Sequence, residues 1–181
     1  MRPTLALDLG TTTGWAVWFA DSAVTSGAWL LATPKELRQQ RKVGGERRND
    51  IRFRRLRQRI EDAVAAYQIE QIVFEDVLFL SSQAQSQLWA SLRAAVWCHA
   101  DRVTIDCVHT GVLKKFATGC GNADKAAMGA ALAALPPPWS RQVRDDNEAD
   151  ALWILRWKWC AAGTETARAG GVPDEPQVPL F

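Results

Sequence analysis

Residues 5–18, LALDLGTTTGWAVW, decide the fold, because they set an aspartate between two short apolar runs. The first run closes at Asp8, a threonine-rich turn lies between Gly10 and Gly14, and the second run begins at Trp15. Short apolar runs bounded by glycine predict neighbouring β-strands joined by a tight turn. The turn suits a nucleotide phosphate bound by backbone N–H groups, and Asp8 equally suits a metal ion. This stretch alone leaves both chemistries open.

The order of the apolar patterns along the chain predicts an α/β protein. Strands are expected over residues 4–9, 14–20, 24–31, 71–75 and 102–108. Helices are expected over residues 46–67, 84–100, 111–117, 123–134 and 146–160. Pro34 and Gly44-Gly45 predict a loop over 34–45, and Asp145 and Glu148 have the spacing of a capping box. This order predicts a mixed five-stranded sheet with helices on both faces.

Length and composition predict one soluble domain. The chain has 181 residues, of which 48% are apolar, enough for a sizeable core. No apolar run approaches the roughly 20 residues of a membrane span, and the first residues do not have the pattern of a signal peptide, so we expect a cytoplasmic protein. We expect the domain to cover residues 1–162, and the Gly-, Pro- and Thr-rich residues 163–181 to form a flexible tail.

Positive charge is concentrated in residues 38–59. The chain has a formal net charge of +2, yet this segment holds ten lysines and arginines against only Glu46 and Asp50. A solvated helix face is the ordinary explanation of a charge run, but solubility does not require this excess. A basic stripe on an otherwise acidic chain indicates a surface for nucleic acid. The candidate contacts to DNA are Arg41, Lys42, Arg47, Arg48, Arg52 and Arg55.

Three acids with apolar neighbours are candidate metal ligands. Asp8 and Glu75 each end a predicted strand, and Asp150 lies near the start of the last predicted helix, four residues after Asp146. A charge among apolar side chains needs a partner or a cation, and residues four apart share a helix face. If the strand ends are adjacent, the carboxylates converge, and such oxygen ligands select Mg²⁺ or Mn²⁺. Two such ions about 4 Å apart support phosphodiester cleavage.

Several motifs together resemble those of RuvC-type Holliday junction resolvases. The likeness covers roughly residues 4–160, and its motifs are DLGTTTG with Asp8, IVFED with Glu75 and NEADAL with Asp150. The segment VLKKFATGCGNADKAAM is the most specific, because Lys114 and Lys125 fall on two lysines that the family needs for activity. The resemblance implies an RNase H-like fold and a nuclease that uses two Mg²⁺ or Mn²⁺ ions.

On this resemblance, the metal ligands and catalytic acids are Asp8, Glu75, Asp146 and Asp150. Many members carry an acid or a histidine three residues before the final aspartate, where this chain has Asn147. Either Asp146 supplies the fourth ligand from a shifted position, which we favour, or Asn147 binds the metal through its amide oxygen.

The resemblance also implies how branched DNA is bound. Such resolvases act on four-way junctions as homodimers, because a two-fold protein fits a two-fold substrate. Residues that follow the catalytic glutamate enter the junction, so Phe79, with its neighbours Leu78 and Leu80, is a candidate DNA contact. A candidate dimer face on the helix over 84–100 consists of Leu88, Leu92, Ala95 and Val96.

Two other functions fit the opening stretch. DLGTTTG also resembles the first phosphate motif of sugar kinases and chaperone ATPases, but those proteins close two lobes over the nucleotide, and this chain is too short for two. A non-catalytic nucleic-acid-binding module of the same fold is the other alternative, and its best support is Asn147. The motifs do not show whether junctions are preferred over flaps or forks. They also do not show whether the protein comes from a phage or from a cell.

The last residues, EPQVPLF, resemble the short peptides that dock on bacterial sliding clamps. Gln177, Leu180 and Phe181 would be the anchors, with the apolar pair in a pocket of the clamp. An apolar chain end that packs on its own domain is the alternative.

Overall fold

The computed structural model describes residues 2–19, 23–42, 50–77, 82–140 and 142–168. The strands are β1 (Thr4–Asp8), β2 (Thr12–Phe19), β3 (Ala23–Leu30), β4 (Gln71–Asp76) and β5 (Thr104–His109). The helices are α1 (Pro34–Lys42), α2 (Ile51–Tyr67), α3 (Gln83–Trp97), α4 (Thr110–Thr118), α5 (Lys125–Ala133) and α6 (Asp146–Arg168). Within these ranges, no helix has the length and apolar character needed to cross a bilayer.

The strands form one mixed five-stranded sheet, which confirms the predicted α/β architecture. Their order is β3-β2-β1-β4-β5. β2 is antiparallel to β1 and β3, whereas β1, β4 and β5 run parallel. The ends of β1, β4 and β5 therefore meet the start of β2 and the end of β3 at one edge of the sheet, which we call the carboxylate edge because Asp8 and Glu75 lie there.

The two faces of the sheet cover separate hydrophobic cores, because successive side chains of a strand point to opposite faces. Ala6 of β1 and Val73 of β4 belong to the core that includes buried residues of α4, α5 and α6. Leu7 and Phe74 belong to the core formed with α2 and α3. Helices on both faces agree with the prediction.

Helix α1 shows that the predicted loop over residues 34–45 was wrong for residues 34–42. The backbone N–H of Thr33 donates to the Glu36 carboxylate at 2.8 Å, and the N–H of Glu36 donates to the Thr33 hydroxyl at 3.3 Å. This is a capping box, and Pro34 occupies the first helical position, where a missing N–H costs nothing. The sequence Thr-Pro-x-Glu therefore starts a helix here, although Pro34 was interpreted as a breaker.

Helix α6 continues to Arg168, well beyond the predicted end near Cys160 and beyond the expected domain boundary at residue 162. Residues 169–181 lie outside the described residues. They include the three candidate clamp anchors, Gln177, Leu180 and Phe181, so clamp docking stays a prediction.

The apolar face of α3 packs inside this chain, so the prediction of a dimer face was wrong for three of its four residues. Leu92, Ala95 and Val96 are at most 1% exposed and pack in the core shared with α2. Leu88 is partly buried against the same core. Leu92, Ala95 and Val96 are therefore not available to a second copy, because they already cover one face of the sheet.

Candidate active site

Asp8 and Glu75 lie side by side at the carboxylate edge. Leu7 of β1 pairs with Phe74 of β4 in a parallel register. Asp8 and Glu75 are the next residues, so they occupy neighbouring positions on adjacent strands. Alternation along the strands turns both side chains to the face that α6 covers, where both are half-buried. Neighbouring strands are about 4.8 Å apart, so two carboxylates in this arrangement repel each other strongly.

The start of α6 brings Asp150 to the same edge. Helix α6 packs across β1 and β2. Gly14 of β2 pairs with Asp8 and makes this packing possible, because a Cβ at Gly14 would collide with the backbone carbonyl of Asn147. Asp150, one helical turn into α6, is half-buried there.

The pKa values of two acids reflect this convergence. Burial, and then the charges of Asp150 and Glu75, raise the pKa of Asp8 from 3.8 to about 8. Burial, and then the charge of Glu75, raise the pKa of Asp150 from 3.8 to about 6. The positive charge of Lys125 opposes both shifts but does not cancel them. The group therefore carries full negative charge near neutral pH only if further positive charge is supplied.

Both predicted lysines lie beside these acids. A cleft of about 190 Å³ is lined by residues that include Glu75, Lys114, Lys125 and Asp150. Lys125 opens α5, whose N-cap Asp124 accepts a hydrogen bond from the N–H of Ala127. A hydrogen bond to Asp146, followed by the charges of Asp150 and Asp8, raises the pKa of Lys125, so this lysine stays protonated.

Asp146 lies at the rim of the group. Its side chain is 66% exposed, and its carboxylate lies 3.2 Å from the Lys125 Nζ. A second cleft, of about 240 Å³, is lined by Asp146 together with Lys125 and Asp150. Asn147 is half-buried, and its backbone carbonyl lies against Gly14. Of the two candidates for a fourth ligand, Asp146 therefore has the carboxylate on the open side, next to Asp150.

The donor set fits a hard divalent cation in its chemistry. Asp8, Glu75 and Asp150 offer only carboxylate oxygens, which Mg²⁺ and Mn²⁺ prefer. A divalent cation would also favour the ionised form of Asp8, whose pKa burial and the neighbouring acids raise to about 8. Among the described residues, however, no three His, Cys, Asp or Glu side chains are gathered closely enough to hold a metal ion. A cation at this edge would therefore have to draw the carboxylates together.

Two arginines predicted to contact DNA are engaged in intramolecular ion pairs. Arg52 lies 2.8 Å from Asp50, the N-cap of α2. Arg55 lies 2.6 Å from Glu36 of α1, and its hydrogen bond to that carboxylate is the main reason that the pKa of Glu36 falls to about 2. Arg55 therefore joins α2 to α1, whereas Arg52 pairs with the N-cap of its own helix.

Other basic side chains of the stripe face solvent. Arg54 and Arg59 of α2 are exposed and form no ion pair with another described residue. Lys42 is exposed at the end of α1. The other predicted DNA contacts, which are the Arg41 side chain, Arg47, Arg48 and Phe79, lie outside the described residues, as do Leu78 and Leu80.

Asp76, directly after Glu75, was missed by the sequence analysis. Alternation turns it to the opposite face, where it is 8% exposed and lies 3.8 Å from both Arg93 and the Nδ1 of His109. The signal was present in the sequence, since two consecutive acids in a strand must point to opposite faces. Glu75 and Asp76 therefore belong to different environments.

Comparisons with solved structures identify the fold. The structure superposes on RuvC from T. thermophilus in complex with a Holliday junction substrate with a TM-score of 0.65 and 18% identity, covering 91% of this chain and 98% of that one. A second Thermus thermophilus RuvC structure gives a TM-score of 0.58 and 17% identity, covering 90% of this chain and 98% of that one. The chain therefore has the RNase H-like fold of these proteins.

A eukaryotic protein has the same fold. The yeast mitochondrial Holliday junction resolvase Ydc2 superposes with a TM-score of 0.56 and 13% identity, covering 93% of this chain and 84% of that one. No protein-family model matches the sequence, and no curated protein matches it either. At these identities the likeness establishes the fold, and function must be argued from the site.

Proposed function

We propose that this protein is a divalent-metal-dependent endonuclease that cuts branched DNA, with four-way junctions as its preferred substrate. The observation that carries the proposal is the position of Asp8, Glu75 and Asp150 at one sheet edge, where burial, and then the charges of Asp150 and Glu75, raise the pKa of Asp8 to about 8. Three carboxylates that repel one another lower the stability of the fold, and binding of a catalytic cation would explain why the chain holds them at one edge. The fold neighbours, which include a RuvC–Holliday junction complex, support the choice of substrate.

The chemistry of the proposed reaction is phosphodiester hydrolysis. Bound divalent ions would supply an activated water and stabilise the leaving oxygen. Asp8, Glu75 and Asp150, with Asp146 at the rim, are the residues that would hold them. Lys125 and Lys114, which line the cleft beside the carboxylates, would hold the scissile phosphate and offset the negative charge that develops on it.

Exposed basic side chains of α2 would hold the arms of the DNA. Arg54 and Arg59 face solvent, so they can contact phosphates without breaking an internal ion pair, unlike Arg52 and Arg55. Phosphate contacts position DNA without reading its sequence. Replacing both residues by glutamine should lower junction affinity and flatten its salt dependence, measured by fluorescence anisotropy, and an unchanged salt slope would exclude these contacts.

The test of the function is cleavage of a synthetic four-way junction, with a linear duplex of the same sequence as the control. We expect Mg²⁺-dependent cuts on the junction only, which EDTA and Asp8→Asn each abolish. Because the junction is two-fold symmetric, paired cuts on opposite strands would also support action as a homodimer.

Two results would contradict this function. Tight junction binding without any cut in Mg²⁺ or Mn²⁺ would favour a non-catalytic binding module. Equal cutting of junction and duplex would show a nuclease that does not recognise branches.

A further inference from the structure

Glu148 is a buried acid of α6 that the proposed reaction does not use. It lies in the first turn of the helix, between Asp146 and Asp150, but it is only 3% exposed and points towards β3. Both carboxylate oxygens have a donor. Oε1 accepts from the Ser26 hydroxyl at 2.7 Å, and Oε2 accepts from the backbone N–H of Arg144 at 2.9 Å.

These bonds fix the start of α6 in two ways. The bond from Ser26 ties the helix to the middle of β3, and the bond from Arg144 ties it to the segment that precedes the helix. The N–H of Glu148 donates in turn to the Asp145 carboxylate at 2.9 Å, which is one half of the predicted capping box, whereas the Glu148 carboxylate accepts from Arg144 and not from Asp145. On the β2 side, the contact of Asn147 with Gly14 holds the same turn.

The position of this turn sets the position of two proposed metal ligands. Asp146 and Asp150 lie two residues to either side of Glu148 in one continuous helix. A helix moves as a rigid body over such a distance, since each residue is tied to the next turn by hydrogen bonds. If a buried carboxylate loses a donor, it must find another or move towards water, because an unsatisfied buried acceptor is costly. Either change displaces both ligands relative to Asp8.

We propose that Glu148, held by Ser26, is a positioning residue that sets the spacing of Asp146 and Asp150 against Asp8 and thereby the affinity of the site for divalent cations. This inference rests on the proposed function, because it assumes that these acids bind a cation. Glu148 itself does not contact the ion or the substrate.

The test compares three variants by the Mg²⁺ concentration that gives half of the Mg²⁺-induced rise in melting temperature. Ser26→Ala removes one donor, and we expect this midpoint to rise roughly tenfold or more, as is usual when a residue that orients metal ligands is lost. Glu148→Gln keeps both contacts, because its amide oxygen accepts from Arg144 and its amide nitrogen donates to Ser26. It should stay near the wild-type midpoint.

Lys158→Met is the matched control for a purely structural effect. Lys158 lies further along α6, where its Nζ is 2.9 Å from Asp106 of β5. Its loss should lower the melting temperature in EDTA without moving the Mg²⁺ midpoint. A Ser26→Ala midpoint that rises no more than that of Lys158→Met would overturn the inference, as would a Glu148→Gln midpoint as high as that of Ser26→Ala.

The same experiment separates this inference from the proposed function. If wild-type protein shows no Mg²⁺-induced shift and cuts no junction, the proposed function fails and the inference fails with it. If wild-type protein binds Mg²⁺ and cuts junctions while Ser26→Ala behaves like the control, only the positioning role is excluded.

Discussion

Gly14→Ala should abolish junction cleavage, although residue 14 has no side chain to take part in chemistry. The added methyl group would collide with the backbone carbonyl of Asn147, and backbone atoms cannot rotate away as a flexible side chain can. Helix α6 must therefore lift from β2, and Asp150 moves with it. Displacements of about 1 Å in a catalytic arrangement can cost roughly 100-fold in rate, and we expect a loss of this size or greater.

The same substitution should lower the free energy of unfolding by about 3 kcal/mol or more, at the upper end of the usual cost of overpacking. Denaturant titration measures this loss, and cleavage is assayed well below the melting temperature so that unfolding does not account for the lost activity. Gly111→Ala is the control, because a Cβ there meets nothing within 4 Å and alanine favours the α4 helix. Wild-type stability and cleavage in Gly14→Ala would refute the close approach of α6.

Without metal, the protein should lose stability as the pH rises from about 4 to about 8. The pKa of Asp8 is 3.8 in an unfolded chain and about 8 in the folded protein, so the folded state binds more protons in this window. Its contribution to stability is complete below pH 3.8 and is lost as the pH rises through 8, with a limiting slope of about 1.4 kcal/mol per pH unit. Asp150, with its pKa raised to about 6, adds a loss of the same sign up to that pH.

Asp8→Asn should remove most of this slope, since an amide has no charge to lose or gain. In EDTA at pH 8, the variant should therefore unfold at a higher temperature than wild-type protein. Mg²⁺ should flatten the wild-type pH profile, because a cation that binds the folded state stabilises it, and it should have little effect on the variant. Parallel pH profiles of the two proteins in EDTA, measured by calorimetry, would show that burial and the neighbouring acids do not raise the pKa of Asp8.

The sequence was sufficient to identify the strands that carry two of the acids. Asp8 and Glu75 each follow a short apolar run, and a meander followed by strand–helix alternation predicts a mixed sheet. The sequence left open whether these two runs are adjacent, and the parallel pairing of β1 with β4 answers this. The apolar stripe of α2 was equally readable, and Leu56, Ile60 and Ala63 are buried as its spacing predicts. Periodicity depends only on neighbouring residues, and the order of the elements is their order along the chain, so both can be recognised without coordinates.

Other features depend on contacts between distant segments, which no local pattern reports. Ser26 and Glu148 are 122 residues apart, and neither residue type predicts the other. Glu148 was recognised as a capping residue, but the strand to which it ties the helix was not. The pairing of Arg55 with Glu36 was hidden for a related reason, since helix α1 was interpreted as a loop and an isolated run of arginines looks available for DNA.

The central claim is that Asp8, Glu75 and Asp150 together bind divalent cations at the carboxylate edge, and titration calorimetry with Mn²⁺ tests it most directly. Asp76→Asn supplies a matched control, because Asp76 is adjacent to Glu75 in sequence but lies on the opposite face, beside Arg93 and His109. We predict that wild-type protein and Asp76→Asn bind Mn²⁺ alike, and that Asp8→Asn and Asp150→Asn each lose this binding. Absence of binding in the wild-type protein, or equal loss in Asp76→Asn, would contradict the account.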